Sequence, residues 1–197
     1  MSRDGYNLIE IVVVVAVVGV LAVVGIPALE RASRAIRLEL AAAELASTLR
    51  MTRIYAIRHG VGVAIRFRMT PSGDVIFTMY RDGDGDGVRN RDIEAGIDPI
   101  EQPARRLTGL GRGVRFGFPS GVRPRAPGSR RRLDRLDDPI RFNRSDLASF
   151  GAGGSATPGT LYLTDGSRGL VAVRVTNHVG RVRTLRYDPI AETWRIV

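Results

Sequence analysis

Residues 5–60, GYNLIEIVVVVAVVGVLAVVGIPALERASRAIRLELAAAELASTLRMTRIYAIRHG, decide the fold. From Leu8 to Leu29 the stretch is almost wholly Leu, Ile, Val, Ala and Gly, with one charge at Glu10. About 22 such residues match the helical span of a bilayer core, whereas a secretory signal has an apolar core of about 7–15 residues and then a small-residue cleavage site. No such site follows Leu21 before the helical pattern resumes at Glu30, so the segment is expected to stay in the mature chain. Beyond Pro27 the apolar positions narrow to Leu38, Ala42, Leu45, Leu49 and Ala56, the spacing of an amphipathic helix with one face against a folded domain. The pattern stops at Gly60, a glycine suited to a helix C-cap, and predicts one helix over 8–59, roughly 78 Å long with allowance for a bend at Pro27.

Glu10 is the oddity, because a carboxylate inside a membrane span is costly and usually marks a function; the alternative is that it sits at headgroup level and reaches water. Gly5-Tyr6-Asn7-Leu8-Ile9-Glu10, followed by the apolar run, resembles the type IV prepilin motif, commonly Gly-Phe-Thr-Leu-Ile-Glu. The resemblance implies that a prepilin peptidase cuts after Gly5 and methylates the new amine of Tyr6. It also implies that Glu10 pairs with the N-terminal amine of a neighbouring subunit in a filament. Tyr6 and Asn7 depart mildly from the usual Phe and Thr. Gly19, Gly25 and Pro27 agree with pilin-like helices that loosen on assembly, since Pro27 lacks an N–H and crowds the turn before it.

After Gly60 the period changes to alternation, with strands expected at 61–69, 75–81, 114–118, 160–164, 170–176, 181–187 and 193–197. Residues 71–74 and 177–180 read as turns between strands. The fold class expected is α+β: a long N-terminal helix, half transmembrane and half amphipathic, packed on a C-terminal antiparallel sheet or sandwich. The organisation that follows is a leader at 1–5, a membrane or filament-core helix at 6–29 and its amphipathic continuation at 30–60. A β-rich periplasmic head follows at 61–197, with 82–140 as a loop insertion. Leu49-Arg50, Arg53 and Ala56-Ile57-Arg58, followed by a Val-rich strand, resemble the GspH/FimT group of minor pilins and pseudopilins. So do 150–154, 157–166, 171–175 and Gly180-Arg181-Val182-Arg183 near the C-terminus.

Two segments of the insertion invite chemistry. Asp82-Gly83-Asp84-Gly85-Asp86-Gly87 sets carboxylates at the first, third and fifth positions and Gly at the sixth, as in loops that fold around calcium. The Val88 carbonyl, Asn90, Asp92 and Glu94 could complete the shell, although Ile93 stands where an EF-hand has its bidentate Glu. The bland reading is a flexible acidic turn. From 105 to 135 there are ten arginines and one acid, Asp134, so this segment holds nearly the whole formal excess of +10. Its prolines and glycines predict a loop. Arg181, Arg183, Arg186 and Arg195 near the C-terminus resemble the basic hairpin of DNA-uptake minor pilins, and phosphate contact is the function they would serve. A solvated charge run is the plainer reading.

All 30 basic residues are arginine and there is no cysteine, which excludes disulfides, thiolate nucleophiles and Cys-held metals. An enzyme is the weakest reading: His59 and His178 are the only histidines, and Ser167 lies near His178 only in sequence. The function expected is a minor pseudopilin of a type II secretion pseudopilus, anchored by one span in the bacterial inner membrane with a periplasmic head. Its partners would be other pilin-like subunits and the prepilin peptidase. No cofactor is required; calcium is optional. The alternative is a type IV minor pilin that binds DNA through the arginine-rich loop and the C-terminal hairpin.

Overall fold

The structure is a computed structural model that describes residues 8–70, 75–106, 113–143, 145–176 and 179–197. The chain divides into two units, Met1–Ile36 and Arg37–Val197. Helix α1, Leu8–His59, supplies the described part of the first and the opening element of the second.

From Leu8 to Leu29 the sequence of α1 is apolar but for Glu10, and large side chains along it, among them Leu8, Val14, Val18, Leu21 and Leu29, are exposed. Pro27 lies inside the helix and has no N–H to give to the turn before it. Arg31 Nε donates to its carbonyl at 3.2 Å, and Arg34 pairs with Glu30 one turn away at 3.1 Å.

The second unit is built on the stripe that the sequence spacing singles out. Leu38, Ala42, Leu45, Leu49 and Ala56 are all buried, joined by Ala41 and Ala46. Alanine at these positions lets the sheets approach the helix axis, while each fully buried leucine contributes about 1.5–3 kcal/mol. The helix ends where the sequence predicts, with Gly60 at φ 63° in the left-handed region that a side chain resists.

Two antiparallel sheets close on this stripe. The first has the order β3-β2-β1-β6, from β1 (Val63–Met69), β2 (Val75–Arg81), β3 (Ile100–Arg106) and β6 (Leu147–Phe150). The second has the order β10-β9-β8-β7-β4, with β5 also pairing to β7. Its strands are β4 (Arg115–Phe116), β5 (Ile140–Arg141), β7 (Gly159–Thr164), β8 (Leu170–Thr176), β9 (Arg181–Asp188) and β10 (Thr193–Ile196). Strand alternation sends Val63, Ile65 and Phe67 of β1, and Val171, Val173 and Val175 of β8, into one core with α1. Phe67 is its hub, stacked on Phe142 at 6.3 Å and tilted against Phe77 and Phe116. The α+β arrangement expected from the sequence is the one observed.

The stretch 82–140, read as a loop insertion with one strand expected at 114–118, carries further elements. It holds helix α2 (Asn90–Glu94), β3 and β4, and its two charged segments each cover the outer face of a sheet. Val88 and Ile93 of the acidic segment pack on Ala64, Tyr80 and Leu147 outside the first sheet. Phe118, Val122, Ala126, Leu133 and Leu136 of the arginine-rich segment pack on Tyr162, Leu170 and Tyr187 outside the second. The turn at 71–74 lies outside the described residues, as do positions 177 and 178 of the later turn.

Candidate functional site

Three candidate sites emerge from the sequence, and the structure treats them differently. At the N-terminal end of α1, Glu10 stands in the first turn among exposed apolar side chains. A carboxylate there faces the partial positive charge of the helix start. Ile11, Val14, Val17, Val18 and Leu21 surround it along the helix and none is buried. Among the described residues α1 is the one helix long and apolar enough to cross a membrane. Gly5 and Tyr6, the processing positions, lie outside the described residues.

The acidic loop follows β2 and is held by side chains that accept from its own backbone. Asp82 accepts from Gly85 N at 2.7 Å and Gly87 N at 3.0 Å, and Asp84 accepts from Asp86 N at 3.3 Å. Carboxylate oxygens of Asp82, Asp84 and Asp86 lie within 4.8 Å of one another. Asp86 also pairs with Arg89 and with Arg91, yet desolvation holds its carboxyl above the usual carboxylate range against the pull of Arg89. The structure does not bring all seven proposed ligands together. Asp92 is buried and engaged by Arg91 at 3.1 Å, and Glu94 is turned to Arg66 at 3.2 Å. Val88 packs its side chain against the first sheet. Asn90 carries a buried Oδ1 with no hydrogen-bond partner. An oxygen-only donor set of this kind fits a hard divalent cation, and an orphaned buried carbonyl is what such an ion would satisfy.

Sequence reasoning missed Asp98, the residue that closes this loop. It is 2% exposed, and its two oxygens accept from Gly83 N and Arg89 N, both at 3.0 Å. It lies beyond the twelve-residue frame that the motif suggests; only its place just before Pro99, at the entry to β3, hints at a turn role.

The arginine-rich segment is fastened rather than free. Trp194 Nε1 donates to Arg125 O at 2.7 Å, and Glu192 accepts from Arg125 at 3.1 Å and Arg132 at 2.5 Å. These guanidiniums, Arg132 first, hold the Glu192 carboxyl below its usual range. Arg174 donates to the Pro127 carbonyl. The four C-terminal arginines divide between faces by strand alternation. Arg195 stands opposite Arg186, and these two find carboxylates in Asp188 at 2.9 Å and Glu39 at 2.7 Å. Arg183 stands opposite Arg174 and Arg181 opposite Thr176, on the outer face. Neither Arg181 nor Arg183 has a carboxylate partner among the described residues.

The GspH/FimT-like stretch at 49–58 has a structural explanation. Arg50 donates to Val182 O at 3.3 Å and Arg53 to Gly154 O at 3.0 Å, so both pin α1 to the second sheet and its loops. His59 stacks on Tyr55 at 4.1 Å, and Tyr55 donates to Glu101, a hydrogen bond that raises the tyrosine pKa. Ser167 bonds Asp165 at 3.0 Å within its own turn. His178 lies outside the described residues.

This is a helix-plus-antiparallel-sheet protein whose first helical half has its apolar surface uncovered. No family model and no curated protein matches the sequence. Among solved structures it is similar to the minor pseudopilin EPSH from the type II secretion system of Vibrio cholerae. The identity is 13% and the TM-score 0.36, over 83% of this chain and 94% of that one.

Proposed function

We propose that the chain is a pilin-like filament subunit, a minor pseudopilin of a type II secretion system, cut after Gly5, methylated on Tyr6 and assembled through α1. The observation that carries the reading is the contrast within α1: its first half is uncovered and apolar on every side except for Glu10, while its second half is committed to the head. An uncovered apolar helix needs a lipid or protein environment, and a lone carboxylate within it needs a counter-charge. The new amine of a neighbouring Tyr6 would supply that charge, neutralising both groups in an apolar filament core. The head would lie on the periplasmic side of the inner membrane. The test is Glu10→Leu in cells that assemble the filament. The variant is expected to insert in the membrane at the wild-type level and to be missing from sheared filaments. Incorporation equal to wild type would overturn the reading.

A second reading concerns the acidic loop, favoured by the convergent oxygens and the orphaned Asn90 carbonyl. Asp82, Asp84, Asp86 and Asn90 would hold a calcium ion, which would fix the cover of the first sheet and take no part in catalysis. Calcium is expected to raise the melting temperature of the head and Asp84→Ala to abolish that rise; equal melting in calcium and in chelator would contradict it.

A further inference from the structure

Three arginines, Arg174, Arg181 and Arg183, share the outer face of the second sheet. Arg174 and Arg183 are direct cross-strand partners, and Arg181 is one pleat further along β9 on the same side. The turn that carries Arg130 and Arg131 rests on this group: Pro127 O accepts from Arg174, and a Cβ at Gly128 would lie 2.7 Å from the Arg174 guanidinium. Like charges placed directly opposite destabilise a sheet. Elsewhere the chain relieves such crowding, giving Glu39 to Arg186, Asp188 to Arg195 and Glu192 to Arg125 and Arg132. Arg174, Arg181 and Arg183 have no carboxylate within ion-pair distance among the described residues.

We infer that this face is a docking surface for carboxylates, and that its occupant is the acidic loop of a second copy of the chain. Residues 82–98 carry six carboxylates against Arg89 and Arg91, a balance of −4. Bound calcium would leave that balance at −2 and keep its sign. Asp84 at the loop tip is exposed and has no arginine within ion-pair distance among the described residues, Arg91 acting on it only at longer range. The loop covers the outer face of the first sheet, and the arginines sit on the outer face of the second, so the two surfaces point away from the shared core. Complementary patches on opposite faces make a head-to-tail contact, which builds rings or open helical assemblies rather than a symmetric dimer. Guanidinium forks match carboxylates geometrically. Single-stranded nucleic acid is the less favoured occupant, because the aromatic rings of this face, Tyr162, Tyr187 and Trp194, lie beneath the arginine-rich cover and offer no stacking platform.

The inference extends the filament reading, and its test separates the two. Self-association of the full chain is measured in detergent micelles at low salt with a calcium chelator. Three variants are compared with wild type: R174E/R183E, D84R and Glu10→Leu. Each of the first two is expected to weaken association about tenfold by itself, as reversal of interface charge does, and an equimolar mixture of them is expected to restore it. Unchanged association in both variants, or no rescue on mixing, would overturn the proposal, whatever Glu10→Leu does. Loss of retention on a single-stranded oligonucleotide by R174E/R183E, with association unaltered, would overturn it in favour of a nucleic-acid surface. An effect of Glu10→Leu alone would leave the filament reading standing and remove the head contact.

Discussion

Residues 8–36 and residues 37–59 of α1 share one helical backbone and differ in what surrounds them. Val14 is 56% exposed, whereas Leu45 and Leu49 are fully buried. Uniform hydrophobicity marks a helix that expects a surrounding solvent of lipid or of other subunits, and a narrow stripe marks one that has found its partner within the chain. The difference teaches that apolar content alone does not locate a core; its distribution around the helix does.

The contrast would be broken most sharply by a single buried methyl-bearing side chain. Leu45→Ala is expected to destabilise the head by about 3 kcal/mol through lost burial and a cavity. Urea unfolding of the full chain in detergent measures this, and Val14→Ala in the same assay is the comparison.

Next in size is the alkaline limit of the covered sheet. Burial pushes the Tyr162 hydroxyl up to about 12 from 10.0, so its neutral form is the one the fold accepts. Its contribution is complete below pH 10 and is lost as pH rises to about 12, because the unfolded chain ionises first. Tyr162→Phe is expected to flatten the loss, read as unfolding midpoint against pH.

A smaller effect is expected from Arg53→Ala, which removes the donor to Gly154 O between α1 and the second sheet. A loss of about 1.5 kcal/mol in head stability is expected from a charged donor of this kind. The exposed Arg186–Glu39 pair should contribute below about 1 kcal/mol and fade in high salt, as a double-mutant cycle at two salt concentrations would reveal. Val14→Ala closes the series with a change within about 0.5 kcal/mol, since its side chain is exposed.

Legibility in the sequence follows the same line. The bounds of α1 and of β2 and β8 are readable because long periodic runs end at strong punctuation, Gly60 above all. The other expected strands are present within two residues of their expected ends. β3 is hidden because its residues are largely exposed, so IEQPARR carries no alternation, and Pro103 argues against a strand. β6 is only four residues long and is defined by pairing with β1, more than eighty positions away in the chain. The two charged segments are visible as charge but not as covers, because the few apolar residues that anchor them, Val88, Ile93, Val122 and Leu133, are scattered without period. The division of the C-terminal arginines between faces follows from alternation along β9 and β10, which charge counting alone overlooks. Asp98 is found only by the backbone donors it meets.

The proposal at the centre of this reading is that cleavage before Tyr6 frees the amine that meets Glu10 when the uncovered half of α1 assembles into a filament. Intact mass and N-terminal sequencing of the membrane-extracted protein, from cells with and without a prepilin peptidase, tests this directly. The account predicts a chain that begins with methylated Tyr6 only when the peptidase is present. A chain that begins at Met1 in both would contradict it.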